Sequence, residues 1–123
     1  MGIINHNAVI ATTWDKKRAH ALQTWLQQHP DLGSLVIWGE PMTNGFQTLV
    51  CVPDGSKEGW AESDTGDGLR AALIQRLEAD DYEDGSSPWD WIEVGFGEYG
   101  QSVLRGNCKN CYEAADAAKD VRA

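Results

Sequence analysis

The chain has few basic residues and no long apolar run, and each shortage excludes a class of protein. Ten Lys and Arg stand against nineteen Asp and Glu in 123 residues, which leaves a net charge of −9. A surface of this sign repels phosphate, so we expect no direct binding of nucleic acid. Apolar runs such as residues 35–38 are far too short to span a membrane. The first residues turn polar at Asn5, which is not the pattern of a secretory leader.

Cysteine is also scarce, and the three cysteines are an odd number, which argues against a disulfide framework. A cytoplasmic, reducing setting fits this composition best. Cys108 and Cys111 have the spacing of a redox pair or of half a zinc site. No second pair of this kind follows, so we favour an incidental or structural pair and expect no metal or cofactor. A small metal-binding or redox module stays open as an alternative.

Catalytic motifs are absent, and we therefore favour a protein that is not an enzyme. The acidic run 80–85 lacks the spacing of an EF-hand calcium loop, and no glycine-rich phosphate loop occurs. Three cations, at positions 16–18, open the first predicted helix just after Thr13. An anion site at this helix N-terminus, between Thr13 and Arg18, is a second alternative. A solvated basic corner is the interpretation that we favour.

The periodicity of apolar residues predicts one α+β domain over residues 1–123, with 1–6 and 112–123 peripheral. Asp15 has the position of an N-cap, and a second helix is expected to begin near Asp64. The predicted strands are 7–14, 35–39, 46–52 and 89–96, and the predicted helices are 16–29 and 64–80. This βαββαβ order predicts a ferredoxin-like antiparallel sheet with both helices on one face. A fifth strand over 101–105 and a final helix over 112–121 are further expectations.

The negative charge is concentrated in one stretch, residues 54–84. Ten acidic residues and three basic ones lie there, so this stretch holds −7 of the net −9. Such a concentration attracts the basic surface of a protein partner. Aromatic side chains beside the acids add cation–π contacts with Arg and Lys.

These two properties select nine candidate partner-binding residues. The acidic candidates are Asp64, Asp67, Asp80, Asp81, Glu83 and Asp84. The aromatic candidates are Trp60, Trp89 and Trp91. Trp89 and Trp91 alternate along one predicted strand and therefore share one face of the sheet. If both helices cover the other face, we expect this pair on the open face.

Residues 53–60 and 82–89, followed by 91–94, resemble segments of small uncharacterised phage and prophage proteins. This resemblance covers the span 53–97 and carries no known catalytic residues. It implies a small protein made in a bacterial cytosol that acts on a host system, as DNA mimics and inhibitors of host-defence nucleases do. A phage structural or assembly protein is a further alternative.

Overall fold

The computed structural model describes residues 4–56 and 60–108, which form an α+β fold. The strands are β1 (Asn5–Thr13), β2 (Val36–Trp38), β3 (Gln47–Cys51), β4 (Trp89–Gly97) and β5 (Gly100–Gly106). The helices are α1 (Lys16–Gln27), α2 (Pro30–Gly33) and α3 (Ala61–Glu78), and a 3₁₀ turn, Thr43–Gly45, joins β2 to β3. The helix expected over 112–121 lies outside the described residues.

The five strands form one sheet in the order β2-β3-β1-β4-β5. All four neighbouring pairs are antiparallel, so the predicted antiparallel sheet is confirmed. Because β3 lies between β1 and β2, those two strands run parallel to each other without touching. The hairpin of β2 and β3 and the fifth strand are confirmed as well.

The first helix begins as its sequence predicts, and the third does not. The carboxylate of Asp15 accepts hydrogen bonds from the backbone N–H groups of Lys17 and Arg18, at 3.0 and 3.2 Å. The second long helix, α3, starts at Ala61 rather than near Asp64, and the side chain of its N-cap residue, Trp60, makes no capping hydrogen bond. Its first turn contains Glu62 and Asp64, whose negative charges suit the positive end of the helix dipole. This acidic turn, and not a capping box, marks the start of α3.

The core lies between the helices and one face of the sheet. Strand residues at alternate positions point to this face, among them Val9 and Ala11 on β1 and Leu49 on β3. Side chains from all three helices pack onto them in a single cluster. The helical members of the cluster are Leu22, Leu26, Leu32, Leu73, Ile74 and Leu77. All three helices therefore cover the same side of the sheet.

No helix within residues 4–56 and 60–108 has both the length and the apolar character needed to cross a bilayer.

Candidate partner-binding surface

Most of the carboxylates predicted to bind a partner are exposed. Asp64 and Asp67 lie on the outer side of α3, and Asp81, Glu83 and Asp84 lie in the loop that follows it. Two further exposed carboxylates, Glu62 and Glu78, belong to the same region. We call these seven residues together the acidic surface.

The side chain of Arg70 on α3 turns toward the sheet. Its side chain is 5% exposed, and its Nε donates to a carboxylate oxygen of Glu93 on β4, at 3.2 Å. A second oxygen of Glu93 accepts from Nε of Arg105 on β5, at 2.7 Å. Arg70 also pairs with Asp67, one turn earlier on α3. A buried Glu with two arginine partners avoids the cost of an unpaired charge.

Arg76, the other arginine of α3, is bound by Asp80. The Asp80 side chain is 6% exposed and accepts from the guanidinium groups of Arg76 and Arg18, each at 3.1 Å. Its second oxygen accepts from Nε1 of Trp89, at 2.8 Å. The guanidinium of Arg76 also lies 6.0 Å from the centre of the Trp25 ring. Asp80 thus ties the end of α3 to α1 and to the start of β4.

These contacts show where the basic side chains of residues 54–56 and 60–84 lie. Both basic side chains in these residues, Arg70 and Arg76, are held by inward-facing carboxylates. Asp67 is the one member of the acidic surface that pairs with a basic side chain within these residues. The other six carboxylates have no ion-pair partner there, and they give this surface its negative potential.

Three of the nine predicted residues are misplaced by the sequence interpretation. Trp89 and Trp91 are 0% and 5% exposed, so the expectation that they lie on the open face is wrong. Their side of β4 is the side that the helices cover. Asp80 is buried and accepts hydrogen bonds from three side chains, so it is a structural group rather than a surface carboxylate. Trp60 is 48% exposed, at the residue before α3.

Two Asp-Gly-Ser sequences form matching turns, one before α3 and one after it. The carboxylates of Asp54 and Asp84 each accept from the backbone N–H and the hydroxyl of the serine two residues later. Burial raises the pKa of Asp54, but the hydrogen bonds from Ser56 and the charge of Arg70 outweigh it and hold that pKa below the ordinary 3.8. Hydrogen bonds from Ser86 lower the pKa of Asp84 below the same value. Both groups stay ionised at neutral pH.

The two alternative sites have little geometric support. At the N-terminus of α1, the Asp15 carboxylate already occupies the helix donors that an anion would use. The hydroxyl of Thr13 donates to the carbonyl of Pro88, at 2.7 Å. Across residues 4–56 and 60–108, no three His, Cys, Asp or Glu side chains are grouped to hold a metal ion.

The cysteines differ in their surroundings. Cys108 is exposed, whereas Cys51 is buried in the core, where desolvation raises the pKa of its thiol to about 11. Cys111, the other half of the predicted pair, lies outside the described residues. Cys51 is therefore an inert core thiol, and Cys108 is accessible to reagents.

No family model, curated protein or solved structure matches this chain significantly. The functional argument therefore depends on the residues and geometry of the chain itself.

Sequence reasoning missed the buried group of Glu93, Arg70 and Arg105. A signal for it exists, because Glu93 alternates with Trp89 and Trp91 and must share their face of β4. A carboxylate beside two core tryptophans needs a cation partner from a neighbouring element. Arg70 lies three residues before Leu73 on α3, a spacing that places it on the inner side of that helix.

Proposed function

We propose that this chain is a binding protein, not an enzyme, whose acidic surface engages a basic surface on a protein of a bacterial host. The single observation that carries the proposal is the inward orientation of Arg70 and Arg76. Buried carboxylates hold both arginines, and Asp67 is the one carboxylate of the acidic surface that pairs with either of them. The remaining six carboxylates on the exposed side of α3 and in the loop after it have no ion-pair partner within the described residues. Such a field attracts a basic partner and speeds their association.

The acidic surface carries two pairs of carboxylates, one at each end of α3. Asp64 and Asp67 lie near the start of this helix and Glu78 and Asp81 at its end, over a helix of 18 residues that is about 27 Å long. Nucleic-acid backbones likewise present an extended array of negative charges. We therefore propose a DNA mimic or inhibitor, which fits the resemblance to small phage and prophage proteins and a cytoplasmic setting.

We also interpret the domain as a ferredoxin-like fold with one strand added. The insertion of β3 between β1 and β2 supports this interpretation, since it is the split βαβ arrangement. On this interpretation β5 is an addition at the β4 edge, and it supplies Arg105 to the buried Glu93.

The proposal is tested by affinity capture from a bacterial lysate, with the captured protein identified by mass spectrometry and then purified for direct binding. The informative variant reverses three exposed charges, Asp64→Lys, Asp81→Lys and Glu83→Lys. No hydrogen bond or ion pair within the described residues holds these three side chains, so the fold is expected to survive. We expect the variant to bind the purified partner at least about 100-fold more weakly, and duplex DNA to compete with the wild-type chain.

The matched control makes the same change in charge elsewhere, by Asp31→Lys, Glu40→Lys and Glu98→Lys. These carboxylates are exposed and lie outside the acidic surface. The affinity of the control for the purified partner is expected to lie within a few-fold of that of the wild-type chain. Equal weakening by both variants would show only a dependence on net charge, and undiminished binding by the first variant would overturn the proposal.

A further inference from the structure

The face of the sheet opposite the helices is apolar, although no element within residues 4–56 and 60–108 covers it. An antiparallel sheet with one solvated face usually carries polar residues there. Here the outward positions include Ile37, Val103 and Phe96, which are 61%, 66% and 44% exposed. We call this the open face.

Strand register aligns the apolar residues of the open face into rows. Ile37 is paired with Val50, Val50 with Ile10, and Ile10 with Ile92, which makes one row across four strands. Val103 continues a second row beside Val94 on β4. Side chains in direct register lie about 5 Å apart, so each row is a continuous apolar ridge. Patches of this kind mark sites of association.

We infer that the open face is the interface of a symmetric dimer, with a second copy of this chain as its occupant. Charge distribution favours this occupant. Among the strand residues that point to the open face, Asp90 is the one carboxylate, whereas the acidic surface lies beyond the helices on the other side. Two sheets packed face to face, each backed by helices, hold their acidic surfaces roughly 30 Å or more apart, several times the Debye length of about 8 Å. A strongly negative chain can pair with itself through this face without bringing its charges together.

The size of the open face is sufficient for a specific interface. Five strands about 4.8 Å apart, with a mean length near 22 Å, give a footprint of roughly 500 Å² per copy and about 1,000 Å² for the pair. That total reaches the lower end of specific interfaces. Because the same face meets itself, the dimer is isologous and closes at two copies.

Sedimentation equilibrium of the full chain over a range of concentrations tests this inference. The wild-type chain is expected to sediment at twice its mass of 13.5 kDa. The informative variant combines Ile37→Lys and Val103→Lys, because both side chains are already exposed and their replacement leaves the core intact. It is expected to raise the dimer dissociation constant at least about 100-fold, since it places four charges in an apolar interface.

The matched control combines Met42→Lys and Leu104→Lys. Both residues are exposed, at 73% and 50%. Leu104 lies on the helix side of the sheet, since a Cβ added to Gly95 on that side would meet its Cδ1 at 3.5 Å. This control is expected to dimerise like the wild-type chain. A wild-type chain that is monomeric at every concentration would overturn the inference. A dimer that the Ile37 and Val103 changes leave intact would overturn it too.

Discussion

Among the carboxylates of residues 54–84, we expect Asp80 to be the one whose replacement by alanine destabilises the protein most. The neighbouring carboxylates are expected to tolerate the same replacement. The Asp80 side chain is 6% exposed and accepts from Trp89, Arg18 and Arg76. Its removal leaves the buried indole N–H of Trp89 without a partner, which costs about 1–3 kcal/mol. It also leaves Arg76 uncompensated, and breaking such a pair costs about 3–5 kcal/mol when both groups are fully buried.

The two arginines soften this cost, because their side chains are 41% and 19% exposed and can turn toward water. We therefore expect Asp80→Ala to lower the free energy of unfolding by about 3 kcal/mol. Asp80→Asn keeps an oxygen for Trp89 and is expected to lose about half as much. The assay is urea denaturation followed by tryptophan fluorescence at one fixed protein concentration.

Asp81→Ala is the matched control, since Asp81 is adjacent and exposed. It is expected to change the free energy of unfolding by less than about 0.5 kcal/mol. If Asp80→Ala and Asp81→Ala were equally stable, the account of Asp80 as a buried structural group would be refuted.

Three further predictions concern other parts of the molecule. A methyl group added by Gly68→Ala on α3 meets open space, so this change is expected to stabilise the protein by about 0.5–1 kcal/mol. The methyl group of Gly66→Ala would overlap the Asp54 carboxylate, so this variant is not expected to be stabilised. Equal increases in the free energy of unfolding, measured by urea denaturation, would contradict the packing around Gly66. At pH 8, iodoacetamide should modify Cys108 and spare Cys51 until urea unfolds the chain, because burial raises the pKa of Cys51 to about 11; peptide mapping that finds equal rates would count against this. The lowered pKa of Asp54 contributes stability that is present above pH 3.8 and is lost as the pH falls through its lowered value. Asp54→Asn should therefore flatten the decline in thermal stability between pH 5 and pH 2, and a variant that declines like the wild-type chain would contradict this account.

The types of element could be predicted from the sequence, because they depend on local periodicity. The N-cap at Asp15, the hairpin of β2 and β3, and the strand from Trp89 all follow from spacing and turn chemistry. The start of α3 could not be predicted as well. Its first turn is polar after Ala61 and offers no large apolar residue that would fix the boundary.

It was easier to predict which residues of a strand share a face than to predict whether that face is buried. Alternation places Trp89, Trp91 and Glu93 together, and the structure agrees. Their burial could not be predicted from β4 alone, because Glu93 is stable inside only through Arg70 and Arg105, which come from other elements. The local pattern of each element places one charged side chain on its inner side, but it does not show which side chain on another element pairs with it.

In the acidic run 80–84, at the end of α3, the local sequence likewise does not show which carboxylate is buried. Its carboxylates are chemically similar, and the charge count treats them as equal. Helical spacing does not separate Asp80 from Asp81, since they follow Leu77 by three and four residues, and both spacings continue the inner side of a helix. The helix ends at Glu78, and Asp80 is selected by its partners Arg18 and Trp89, which lie on other elements and are not visible in the local sequence.

The hydrogen bond between Asp80 and Trp89 also closes the loop 81–88 into a ring. Within it, the N–H of Tyr82 donates to the carbonyl of Ser86 at 2.7 Å, and the N–H of Gly85 donates back to Tyr82 at 2.9 Å. The backbone that carries Glu83 and Asp84 is thus folded before any partner arrives. For the binding that we propose, ordering this loop would cost mainly the rotamer freedom of its exposed side chains, about 0.5–1.5 kcal/mol each, and little of the backbone entropy that an unstructured acidic loop would lose.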